Sequence, residues 1–60
     1  MKVSEFTRKL SKAGGDIVRH GSGHDKWFSP ITGEEFYVPR HGSQELKPGL
    51  EKALRKLAGI

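Results

Sequence analysis

The chain predicts an α+β fold in the order α-β-β-β-α, a three-stranded antiparallel sheet with two helices on one face. Three observations predict it. Apolar residues recur at helical spacing near both ends, and three short runs rich in β-branched and aromatic residues lie between them. Glycines and prolines fall at the joins.

The first helix is expected over residues 4–13, "SEFTRKLSKA". Val3, Phe6, Leu10 and Ala13 make its apolar stripe, with Lys2, Glu5, Arg8, Lys9 and Lys12 on the other faces. Ser4 suits the N-cap, Glu5 suits the first turn, and Gly14-Gly15 ends the element. "DIVRH" is too short and too β-branched for a helix, so it reads as a strand. "HDKWFS" and "EFYVP" are the second and third strands. Pro30 and Gly33 turn the chain between them, and Pro39 stops the third because it has no N–H for the ladder. "RHGSQELK" is a polar loop that Leu46 pins to the core. In "PGLEKALRKLAG" Pro48 starts a helix and Gly59 stops it; Leu50, Ala53, Leu54 and Leu57 form its expected stripe, and Glu51 and Arg55 an i,i+4 pair. Short turns between consecutive strands make the sheet an antiparallel meander.

Sixty residues make one domain, and a chain this short buries only about 60% of the surface its unfolded form exposes. Without cysteine there is neither a disulfide framework nor a thiolate zinc site, which fits a reducing compartment. No apolar run approaches the roughly 20 residues that span a bilayer, and no charged-then-apolar leader is present. A soluble, cytoplasmic protein without a membrane partner is expected. Eleven Lys and Arg against seven acids give a formal charge of +4, with a pI of about 9.8. That balance favours an anionic partner, nucleic acid first.

Alternation along the second strand sorts its side chains. His24, Lys26 and Phe28 share one face, Asp25 and Trp27 the other. Trp27 is the large apolar anchor of a small core and belongs under the helices with Phe36 and Val38. His24, Lys26, Phe28 and Tyr37 are then left on the open face, where a cation and two aromatics beside a histidine suit phosphates and unstacked bases. The plainer alternatives are a solvated histidine and aromatics that merely stabilise the sheet as cross-strand neighbours. His20, His24 and His41 show no metal-ligand spacing, and Glu34-Glu35 point to opposite sides of a regular strand, so no cofactor or metal is expected.

"SEF" opens the first helix, "GSGH" carries an aromatic three residues past its histidine, "YVPRH" closes the third strand, and "ELKPGLEKALRKLAG" ends the chain. With these stretches in this order, the whole chain, residues 1–60, resembles the HicA toxins, small ribonucleases of the bacterial HicA–HicB toxin–antitoxin system. The family often reads glycine-serine-histidine where this chain has Gly23 before His24, and Trp27 fits the family's apolar position. The resemblance implies a double-stranded-RNA-binding-domain-like fold and mRNA interferase activity with His24 as the catalytic residue. It also implies mRNA as substrate, a HicB-like antitoxin as partner, and contact with DNA only through an antitoxin complex.

RNA carries its own nucleophile, the 2′-OH, and a neutral imidazole can take that proton at cellular pH. The expected cleavage needs no metal and yields a 2′,3′-cyclic phosphate and a 5′-OH. Lys26, Arg40, or the backbone N–H groups of Gly21, Ser22 and Gly23 would stabilise the phosphoryl charge, with His41 a further acid–base candidate. Two other readings use the same residues: a non-catalytic RNA-binding module of this fold, and a protein-interaction domain.

Overall fold

A computed structural model describes all 60 residues and has the expected order: α1 (Val3–Lys12), β1 (Asp16–His20), β2 (His24–Phe28), β3 (Glu35–Pro39) and α2 (Pro48–Ala58). The strands form one antiparallel meander, β1-β2-β3. The buried cluster joins both helices to one sheet face: Val3, Phe6 and Leu10 from α1, Trp27, Phe36 and Val38 from the sheet, Leu54 and Ala58 from α2, and Leu46 from the loop before α2. Leu46 does pin that loop, and its N–H donates to the Met1 carbonyl at 2.9 Å.

Two helix details differ from expectation. α1 begins at Val3, with Lys2 at the N-cap position and no side-chain cap. The first-turn N–H groups of Val3 and Ser4 instead donate to the carbonyls of Gln44 and Gly42, at 2.9 and 3.0 Å. The loop after β3 thus caps α1, and Ser4 is not the cap. In α2, Leu54 and Ala58 are buried while Leu50, Ala53 and Leu57 are exposed. A three-stranded sheet offers too little surface to cover two full helical stripes, so α2 is rolled about its axis and keeps one apolar flank outside. The helix boundaries at Pro48 and Gly59 are as expected, with Gly59 left-handed at φ 75° and Glu51 and Arg55 3.9 Å apart.

The β2–β3 turn does more than connect. Ser29 is fully buried and its hydroxyl donates to the Ala58 carbonyl at 2.6 Å; Thr32 Oγ1 donates to Leu57 at 2.5 Å. These bonds satisfy carbonyls that the end of α2 would otherwise leave open.

β1 contains the one irregularity of the ladder. Ile17 pairs with Trp27 and Arg19 with Lys26, so Val18 is an extra residue, a β-bulge. Every residue of β1 is exposed, and the helices therefore cover mainly β2 and β3.

Candidate active site

β2 alternates between two environments. Asp25 and Trp27 are buried, His24 is exposed, and Lys26 and Phe28 are half-buried. The register carries the alternation into β3, where His24 faces Pro39, Lys26 faces Tyr37 and Trp27 faces Phe36. Phe36 and Val38 are buried and Tyr37 is exposed. Directly paired residues share a face. His24, Lys26, Phe28 and Tyr37 therefore lie together on the side without helices, as the alternation predicts.

That face is aromatic and charged, with Asp16 and Glu35 beside Phe28 at its far end and the cations nearer His24. Lys26 Nζ lies 5.7 Å from the centre of the Tyr37 ring, within reach of a cation–π contact, and 3.2 Å from Glu35 Oε1. The bulge at Val18 turns Arg19 onto the same face opposite Lys26, and turns His20 to the covered side opposite Asp25. Sequence reasoning missed Arg19, because strict alternation from Ile17 would have sent it under the helices.

His24 starts β2 directly after the turn Gly21–Ser22–Gly23. The turn needs both glycines. Gly21 N–H donates to the His24 carbonyl at 2.8 Å, and a Cβ on Gly21 would fall 2.7 Å from that same oxygen. Gly23 holds φ at +81°, the left-handed region that side chains disfavour. No backbone carbonyl accepts the N–H of Ser22 or Gly23.

The other expected site residues divide. Arg40 turns away from the open face: its Nη2 and Nε donate to Asp25 Oδ1 at 2.8 and 3.2 Å, and Nη2 also donates to the Gly21 carbonyl. His41 is exposed, two residues beyond the partner of His24, and so lies at the same end of the sheet. Phe28 lies four residues along β2, about 13 Å from His24 at the usual strand rise. The glycine turn, His24, Arg40 and His41 thus gather at one end, Lys26 and Tyr37 occupy the middle, and Phe28 lies at the far end.

On the covered side, His20 Nδ1 lies 3.0 Å from Asp25 Oδ1. An ionised carboxylate only accepts, so Nδ1 carries the proton in that contact. The Arg40 guanidinium holds the Asp25 carboxyl below the usual carboxylate range, with burial opposing it and His20 assisting. No three of the histidines and carboxylates come together in a cluster that could hold a metal ion. A shallow surface concavity lies along α2, between Glu51, Lys52, Arg55, Lys56, Gly59 and Ile60, apart from this face.

Fold and face together define a small basic α+β domain whose uncovered sheet presents a histidine, cations and aromatics. The chain belongs to the HicA toxin family: the family model described as "HicA toxin of bacterial toxin-antitoxin" matches residues 3–60. It is 42% identical over 60 residues to "Probable mRNA interferase HicA 2" of Photorhabdus laumondii, covering 100% of this chain and 98% of that protein. It is 43% identical to "Probable mRNA interferase HicA 1" of the same organism, with 100% of both chains covered. No solved structure matches the chain.

Proposed function

We propose that the chain is the toxin of a type II toxin–antitoxin pair and a metal-independent endoribonuclease, with His24 as its catalytic residue and a HicB antitoxin as its inhibitor. The observation that carries this reading is His24 standing exposed on an uncovered face with Lys26, Arg19 and Tyr37, in a chain whose relatives bear the name mRNA interferase.

The chemistry follows from what RNA brings. His24 removes the proton of a ribose 2′-OH, and the oxygen attacks the adjacent phosphorus in line. The P–O5′ bond breaks as the new P–O2′ bond forms, leaving a 2′,3′-cyclic phosphate on one fragment. The 5′ oxygen takes a proton from water or a nearby acid. Negative charge on the phosphoryl oxygens meets Lys26 and Arg19 and the N–H groups of Ser22 and Gly23. Tyr37, exposed beside Lys26, offers a surface on which an unpaired base can stack. Nucleophile and charge stabilisation are both supplied without a metal ion.

Two substrates test this directly. Purified protein in excess EDTA should cleave an RNA oligonucleotide at its full rate and leave the all-deoxy oligonucleotide of the same sequence intact, because DNA lacks the 2′-OH. Cleavage of the deoxy strand, or loss of RNA cleavage in EDTA, would overturn the scheme. A non-catalytic binder would retain the RNA and cut neither strand.

A further inference from the structure

The reaction leaves one buried charge unused. Asp25 is 8% exposed and lies on the covered face, paired with Val38 beside Trp27 and Phe36, where every other sheet residue of the core is apolar. Removing a carboxylate from water offsets much of what its ion pair returns, so the pair by itself is a weak source of stability. Asp25 Oδ1 takes Arg40 Nη2 at 2.8 Å, Arg40 Nε at 3.2 Å and His20 Nδ1 at 3.0 Å.

Those partners enclose the glycine turn. His20 is the residue before it, and Asp25 follows His24. Arg40 holds the turn twice, its side chain on the Gly21 carbonyl and its main-chain N–H on the Gly23 carbonyl at 3.1 Å. Gly21 in turn donates to the His24 carbonyl. The contacts run from Asp25 through Arg40 to both ends of the turn, and from the turn to the backbone of His24.

We propose that Asp25 is a positioning residue for His24: from beneath the sheet it anchors Arg40 across the Gly21–Gly23 turn, and so sets where the imidazole stands on the open face. This rests on the reading of His24 as the catalytic residue. Asp25 itself touches no RNA. Arg40 acts through the turn, with its guanidinium committed to Asp25 and Gly21.

The test compares purified wild type with Asp25→Asn, Arg40→Lys and His24→Ala on one RNA oligonucleotide, alongside thermal melting and amide hydrogen exchange. Asn keeps the shape of Asp25 and loses its charge; Lys keeps the charge of Arg40 and loses its two-pronged reach. A misplacement of about 1 Å costs on the order of 10²-fold in rate, so kcat should fall about 10–100-fold in both variants with KM near wild type. Exchange at the Gly21 amide should quicken while the amides of α1 and α2 stay protected. Asp25→Asn combined with Arg40→Lys should be no slower than the worse single variant, because both break the same chain of contacts. Wild-type kcat in both single variants, with His24→Ala inert, would overturn the positioning role and leave the catalytic reading intact. Full activity in His24→Ala would overturn the catalytic reading itself, whatever Asp25→Asn does. If Asp25→Asn melts far below wild type, Arg40→Lys decides alone, its side chain being half exposed in any case.

Discussion

Replacing His24 with alanine should lower RNA cleavage by about 10²–10⁴-fold, the range a single general base contributes. Induced in a bacterium, the variant should permit growth where the wild type arrests it. His24 is exposed, and a surface substitution of this kind changes stability by roughly 0.5 kcal/mol or less. The variant should therefore keep the wild-type circular dichroism spectrum and melting curve. A variant that is folded and harmless assigns the toxicity to the ring. A folded variant that still arrests growth removes His24 from the mechanism and leaves His41, at the same end of the sheet, as the next imidazole to examine.

Phe6→Ala should be harmless for the opposite reason. Phe6 has no exposed surface and joins Val3 and Leu10 to the underside of the sheet. Removing a buried phenylalanine costs about 3–5 kcal/mol, the lost transfer of its ring together with the cavity left behind. Sixty residues at roughly 0.05–0.15 kcal/mol each give a total stability of roughly 3–9 kcal/mol. The loss is of the same order as the whole. The melting temperature should fall by tens of degrees, at roughly 4–8 °C for each kcal/mol, and much of the protein should be unfolded at 37 °C. A Phe6→Ala protein melting within a few degrees of wild type would contradict this picture of a core with no spare contacts. Side by side, the two variants separate lost chemistry from lost structure.

The elements were legible because each rests on local physics. Alternation in "HDKWF" and "EFYVP" needs only the pleat, and it assigned the two faces of β2 and β3 as the structure has them. Pro48 and Gly59 act on their own backbone, so α2 starts and stops where they stand. Long-range features were not legible. Val18 bulges, but a bulge leaves no mark in a five-residue strand, and the two side chains after it, Arg19 and His20, exchange faces because of it. Ser4 has the chemistry of a cap, yet the carbonyls of Gly42 and Gln44, distant in the chain, take its role. The exposed flank of α2 depends on how much sheet there is to share between two helices, which spacing within one helix does not report. In the candidate site, the histidine, the glycine turn and the open-face aromatics could be read in advance. The ties from Asp25 to Arg40 and His20 could not, since they join residues of three different strands or strand ends.

The end groups of the cleaved RNA test most directly whether the substrate supplies its own nucleophile. A short RNA cut by the purified protein and weighed by mass spectrometry should give a 5′ fragment ending in a 2′,3′-cyclic phosphate, or the 3′-phosphate to which it hydrolyses, and a 3′ fragment beginning with a 5′-OH. A 5′ fragment ending in a free 3′-OH, with the phosphate on the other piece, would mean that water attacked instead and that His24 does not act as described.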